Sequence, residues 1–472
     1  MSFVSLAFLL LFIASYIACK LCKTREQKHF VLLATSYVFY AYWDARFLIL
    51  LVVQTIISYV LAKKIVRTES KQKSKAFMLI GVIVSLAILC FFKYFNFFVE
   101  SFAKMFGITS LGALNIVLPI GISFYTFHTL SYLIDVYRGK LKACDRYIDL
   151  SLYISFFPQL VAGPIVRARD FLPQLAEDRP MNRENLTEGL QIFLFGLIKK
   201  IVIADRLAVC VDAVFASPGS YSGLSLFLAV VAYSIQIYCD FSGYSDMAIG
   251  VAKTFGYELC KNFDMPYLSK NPTEFWRRWH ISLSSWLRDY LYISLGGNRK
   301  GNFRTKVNLM LTMLLGGLWH GANWQMVFWG ALHGGALVVH KTFREQADQA
   351  NVHASGRILK GIVSVASVVG MYLFTCVCWV FFRAASFSDA ILILTRIATG
   401  AAGIKYYYIF TFLFAAVIGV ATLIGAVKNQ GHGYYPLLDL SKFWPKVLIL
   451  LIILLTLMFF YAGDTAFIYF QF

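Results

Sequence analysis

The sequence predicts an all-α, polytopic membrane protein. Three observations carry that prediction. Of 472 residues, 59% are hydrophobic and only 15% charged; the mean hydropathy is +0.65; and Lys and Arg fall in short clusters between apolar runs rather than along one polar face. A soluble core cannot hide 43 Phe, 27 Tyr and 9 Trp under so few charges, whereas lipid solvates exposed apolar side chains. Disorder, a coiled coil and a secreted disulfide scaffold are excluded together. The net charge of +19 reads as a topology signal rather than a nucleic-acid surface. Nine scattered Cys predict free thiols and no metal site, because Cys19 and Cys22 lack a second CxxC or a nearby ligand His.

The elements follow in order. Phe3 to Ala18 has no basic stretch before it and a poor cleavage site before Cys19, which predicts a retained first span. Basic clusters at Lys20–Lys28 and Lys63–Lys75 enclose 34 mostly apolar residues with Asp44 in the middle, so Phe30–Trp43 and Arg46–Ala62 form a hairpin between two cytoplasmic ends. The next pair, Ala76–Phe92 and Leu114–Asp135, returns to the basic stretch Arg138–Arg146, which leaves the amino terminus outside. Three apolar stretches follow before Lys253, namely Leu150–Val161, Leu190–Ala204 and Leu224–Cys239. A return to the same side needs an even number of crossings. The first stretch contains Pro158 and ends in Gly163-Pro164; its helix would reach only ~18 Å of a ~30 Å core, so it is re-entrant or interfacial. After a polar section, Lys253–Lys306, come the short limbs Val307–Trp319 and Trp324–Val339, a cytoplasmic loop near Lys341–Arg357, and spans near Gly361–Phe382, Tyr407–Val427 and Val447–Tyr461. The sum is 11 or 12 crossings in one membrane domain, residues 1–472, with no repeat of 20–50 residues.

Five groups of residues could carry chemistry. His320 stands in Gly316-Gly317-Leu318-Trp319-His320-Gly321-Ala322-Asn323-Trp324. Fourteen residues of helix above Lys306 would lift it by ~21 Å, past the bilayer centre. An imidazole at that depth is costly, and the flanking glycines permit close helix approach or a break, so the ring is expected to face a protein-lined cavity. Imidazole titrates near neutrality and suits general-base work on a hydroxyl; a core His hydrogen-bonded between helices is the plainer alternative. His280 is the second candidate. Asn271, Pro272 and Glu274 announce a helix start and Gly296-Gly297 a stop, with Trp276, Trp279, Leu283, Trp286, Leu287 and Tyr290 on one stripe. That pattern predicts an amphipathic helix at the lipid surface, with His280 at the stripe's border, either facing the cavity of His320 or snorkelling. The Lys253–Lys306 section holds ten Lys and Arg against four acids, mostly positive-inside bias, although a polyphosphate donor would be drawn to it. Gln236, Asp240, Ser242, Ser245 and Asp246 lie within an apolar stretch; they read as an unwound segment around Gly243 whose carboxylates pair with Arg, in preference to a proton-handling site. Tyr125, Thr126, His128 and Asp135 invite the same structural reading.

At these residues the chain resembles the membrane-bound O-acyltransferase family, and within it the alginate O-acetylation type. The resemblance runs in order through Ala162–Arg167, Asp240–Gly250, Phe275–Ser284, Leu291–Arg299, Leu311–Gly321 and Trp329–Gly334. It covers most of residues 120–340 as a motif-bearing core, with 1–119 and 341–472 as flanking helices. The Leu295–Arg299 element favours polysaccharide acetylation over D-alanyl transfer to teichoic acid. The resemblance implies a ring of tilted helices around a central tunnel, with cytoplasmic and outer funnels meeting near His320 and with His280 as the second position. It implies no permanently bound cofactor and an acyl thioester donor, acetyl-CoA, whose binding would draw on Arg277, Arg278, Trp276 and Asn323. His320 would activate an acceptor hydroxyl or carry the acyl group itself, and His280 would orient the acyl group or stabilise developing charge. A separate extracytoplasmic acetyltransferase would complete transfer to a glycan at the bacterial cytoplasmic membrane. D-alanyl transfer from a carrier protein, and a glycan transporter or flippase built on broken helices, are the competing functions.

Overall fold

In a computed structural model of the protein, residues 1–108, 114–349 and 357–406, with Val447 and Leu451, are described. The predicted spans at 407–427 and 447–461, those two residues aside, lie outside the described residues. The chain is all-α, as predicted. Among the described residues, four helices are long and apolar enough to cross a membrane, Arg46–Arg67, Lys71–Phe106, Gly223–Thr254 and Lys360–Arg383, and Leu6–Leu21 is a shorter apolar helix. This is a multi-pass membrane protein. Chain contacts divide it into two compact units, one of Met1–Phe195 and Tyr244–Cys260, the other of Gly196–Gly243 and the described residues from Lys261 onward.

In the first unit, α1 (Leu6–Leu21) and α2 (Arg25–Ala41) bracket the first basic cluster. Thr24 accepts from the Gln27 N–H while the Gln27 side chain reaches back, a capping box that starts α2. Helix α3 (Arg46–Arg67) returns to the second basic cluster, completing the expected hairpin. The next expected span is longer: α4 runs from Lys71 to Phe106 through a wide turn at Cys90–Tyr94. Its partner begins later than predicted, at Gly121, and forms α5 (Ile122–Tyr137), fourteen of whose sixteen residues are buried. His128 and Asp135 both lie wholly buried on this helix. Helix α6 (Tyr147–Ser155) has nine residues and breaks at Phe156 before Pro158. At ~1.5 Å per residue it is too short to cross a bilayer.

The second unit carries His280 and His320. A helix from Arg183 continues past Ile198 as a wide π-type segment, Lys199–Ala204, into α7 (Asp205–Ala216), so the expected stretch 190–204 has no end at 204. Helix α8 (Gly223–Thr254) is one continuous element of 32 residues. The unwound segment expected at Gly243 does not exist. Gly243 instead permits a close crossing, because a Cβ there would sit 2.7 Å from the Gly196 carbonyl oxygen. Two helices then form a hairpin: α9 (Gly301–His320) and α10 (Trp324–Gln349), each extending beyond its predicted limb. Helix α11 (Arg357–Arg383) contains the last described span.

Candidate active site

Helix α9 delivers His320. It ends on that residue, because Gly321 turns extended at φ −156, ψ 143. Asn323 then caps the next helix, its Oδ1 accepting the Met326 N–H at 2.9 Å. The hairpin is tight because both helices carry glycine where they touch. A Cβ on Gly317 would collide with the Met326 carbonyl, and one on Gly330 with the Met313 carbonyl. These glycines hold the His320 ring beside its neighbours. Trp319 and Trp329 each lie 5.1 Å from it and Phe382 lies 5.6 Å away, centroid to centroid. His320 is 4% exposed.

His280 arrives differently, and the continuous amphipathic helix expected from Pro272 to Tyr290 is not formed. The Asn271 cap and Pro272 start are as predicted, with the Asn271 side chain accepting the Glu274 N–H. The helix stops at Arg278, Trp279 is extended, and His280 takes the left-handed conformation, φ 43, ψ 55, before a second short helix, Ile281–Trp286. A β-carbon makes that conformation cost about 1–2 kcal/mol, so neighbouring bonds must hold it. Asn262 supplies them. Its carbonyl accepts the Ile281 N–H at 2.8 Å, and its Oδ1 accepts from the Ser282 N–H at 3.2 Å and from Ser282 Oγ at 2.8 Å. The predicted stripe is also not a lipid face: Trp279, Leu283, Trp286, Leu287 and Tyr290 are all buried. The periodicity was real, but it served a packed core.

The same Asn262 Oδ1 lies 3.1 Å from His280 Nδ1. An oxygen that accepts a backbone N–H must accept from the ring as well, so Nδ1 carries the proton and Nε2 is the basic nitrogen. Nε2 has no hydrogen-bond partner among the described residues. The ring is wholly buried, with Phe241 edge-on at 4.6 Å and Trp319 at 6.1 Å. The His280 and His320 centroids are 6.4 Å apart. Thus the structure brings the two sequence candidates together, with one imidazole held in a defined tautomer. Chemically, such a pair can take a proton from a hydroxyl and stabilise charge on an attacked carbonyl.

The four auxiliary candidates separate. Arg278 is engaged by Glu274 at 2.9 Å and by the Asp264 carbonyl at 3.2 Å, while Arg277 is exposed. Trp276 packs edge-on against Trp329 and His333, at 5.8 and 5.1 Å. Asn323 caps the helix after His320.

Three features escaped the sequence reading. Asn262 orders the His280 turn. His333, wholly buried, is boxed by Phe275, Trp276, Trp329 and Phe374. Lys200 lies 2.7 Å from both Asp205 and Asp240, so a lysine pairs with Asp240. The signal was available: Lys200 and Asp205 are five apart within an apolar run, the spacing a π-type turn brings onto one face.

Residues 146–382 match the membrane-bound O-acyltransferase family. The chain is 44% identical over 391 residues to the "Probable alginate O-acetylase AlgI" of Azotobacter vinelandii, covering 81% of this chain and 75% of that protein. It is 36% identical over 389 residues to a peptidoglycan O-acetyltransferase of Helicobacter pylori, covering 77% and 72%. A teichoic acid D-alanyltransferase of Streptococcus thermophilus is 29% identical over 245 residues, covering 49% and 59%.

Proposed function

The chain belongs to the membrane-bound O-acyltransferase family, an enzyme class that moves acyl groups onto hydroxyls, and from that premise we propose that it transfers acetyl from cytosolic acetyl-CoA for O-acetylation of an exopolysaccharide or cell-wall glycan outside the bacterial cytoplasmic membrane. The observation that supports this reading best is the buried pair of imidazoles, 6.4 Å apart, one with a basic nitrogen left open. The greater identity to O-acetyltransferases than to the D-alanyltransferase favours acetyl.

The step balances simply. The acceptor oxygen bonds to the acyl carbon, its proton passes to His320, the carbon–sulfur bond breaks and the proton leaves with the thiol. His280 Nε2 lies beside this exchange to orient the reactants or, once protonated, to stabilise the developing oxyanion. A covalent acyl-His320 would divide the same chemistry into two transfers. Arg277, exposed before the His280 turn, meets the donor's phosphates, with Arg278 as a more constrained neighbour. A soluble extracytoplasmic acetyltransferase completes delivery to the glycan.

The test uses purified protein with labelled acetyl-CoA, and separately a D-alanyl carrier protein, alongside surface ester content in cells. Acetyl transfer that disappears in His320→Ala supports the assignment. D-alanyl transfer instead redirects it to the teichoic-acid reaction, and normal ester formation in His320→Ala ends the catalytic reading, leaving a transporter as the better account.

A further inference from the structure

Beside His320 lies a cavity of about 280 Å³, lined by Asn323, Gln325, Met326, Phe382, Arg383 and two alanines. Phe382 belongs to both places. It lines the cavity, and its ring stands 5.6 Å from His320 and 5.5 Å from Trp329. The ring is itself buried, at 1% exposure, so it is the partition between the cavity and the imidazole.

The lining indicates which reactant belongs there. Asn323 Oδ1 is taken by the Met326 N–H and Gln325 Nε2 donates to the Ala384 carbonyl, so Asn323 Nδ2, Gln325 Oε1 and the guanidinium of Arg383 are the groups that can exchange hydrogen bonds with a hydroxyl. Arg383 is also held by Asp212 at 2.5 Å, so it offers little net charge to a polyphosphate. Exposed cations lie elsewhere: Arg277 precedes the His280 turn, and Arg299, Lys300 and Arg304 cluster at the start of α9, ~24–30 Å of helix from His320. A phosphate-bearing donor is drawn to those cations and a hydroxyl-bearing acceptor to this cavity.

We propose that the cavity seats the hydroxyl-bearing acceptor and that Phe382 is the positioning residue that admits the acceptor hydroxyl to His320 while keeping water from the acyl donor. This rests on the acyl-transfer reading and adds to it where the acceptor binds and what prevents wasteful hydrolysis. Were the partition opened, water would replace the acceptor: its oxygen bonds to the acyl carbon, the carbon–sulfur bond breaks, and acetate and free thiol leave, with the water proton passing through His320. Exclusion of such side reactions is a general function of closed active sites.

The experiment measures thiol release from acetyl-CoA by purified protein without acceptor, in parallel with surface ester content in cells. Phe382→Ala should raise hydrolysis by about tenfold and lower ester content, and Phe382→Leu should do the same to a smaller degree if the alanine variant does not fold. Ala385→Phe, which fills the cavity, should reduce ester content by about tenfold through a raised KM for the acceptor. Hydrolysis and transfer falling together in a folded Phe382 variant would make the ring purely structural, and full transfer by Ala385→Phe would remove the acceptor from this cavity. Failure of the parent reading is separable, since wild-type protein would then release no thiol from acetyl-CoA under any condition.

Discussion

The two histidines occupy one small volume but are held there by different physics. The hairpin that carries His320 is regular: a helix ends, an asparagine caps the next, and glycines let the pair close. The turn that carries His280 is irregular, with a left-handed non-glycine residue pinned by an asparagine eighteen positions earlier. The first imidazole is placed by secondary structure and the second by a specific hydrogen-bond clamp. Regular placement tolerates changes on the outside of the hairpin, whereas clamped placement depends on a single side chain. Perturbing each in turn shows how far that contrast holds.

The largest effect belongs to His320. Replacement by Ala should lower acetyl transfer by roughly 10²–10⁴-fold, the usual scale for a general base, with little change in thermal stability because the hairpin glycines and the Asn323 cap remain. Transfer rate and melting temperature measured on the same preparation check this. A large loss of stability would assign the ring to packing among Trp319, Trp329 and Phe382.

Next comes the clamp. Asn262→Ala removes the acceptor for His280 Nδ1 and for Ser282; it should lower kcat by about 10–100-fold while leaving KM for the donor nearly unchanged, the pattern of an interaction that matters in the transition state. Asn262→Asp keeps an acceptor oxygen and should recover much of the rate. Equal losses in both variants would mean that the amide serves the turn's backbone and not the ring's tautomer.

The buried Lys200–Asp240 pair is a structural counterpart to the clamp. Asp240 precedes Phe241, the ring that stands edge-on to His280. Removing one partner of a buried pair typically costs 3–5 kcal/mol, much of it from the charge left behind. Lys200→Met should therefore destabilise the protein by about that amount in chemical unfolding, and a second change at Asp240 to Asn should restore part of it. If the double variant is no more stable than the single one, Asp205 rather than Asp240 is the partner that matters.

What was legible in the sequence follows the same division. Periodicity, capping signals and charge clusters announced the helices and the Asn271-Pro272 start, because each depends on residues close in sequence. The break at His280 was not legible. Trp276 to Tyr290 keep helical spacing across it, and the bond that breaks the helix comes from Asn262, outside the pattern. Gly243 misled for a related reason: a glycine flanked by short polar residues suggests unwinding, but here the missing side chain serves a helix crossing at Gly196. The polar residues around it are absorbed by a continuous helix. Long-range partners decided each case.

The smallest effect isolates the backbone at His280 from its ring. At φ 43, ψ 55 glycine is unstrained and alanine is not, so His280→Gly should be more stable than His280→Ala by about 1 kcal/mol, with some of that offset by glycine's freedom in the unfolded chain. Asn tolerates the left-handed region better than most residues, so His280→Asn should fall between them. All three lack the imidazole and should share a strongly reduced transfer rate. Melting temperatures read the first effect and transfer rates the second. Should alanine prove as stable as glycine, the turn has relaxed out of the left-handed region once the ring is gone, and the strain is sustained by the ring's bond to Asn262 rather than by the backbone bonds around it.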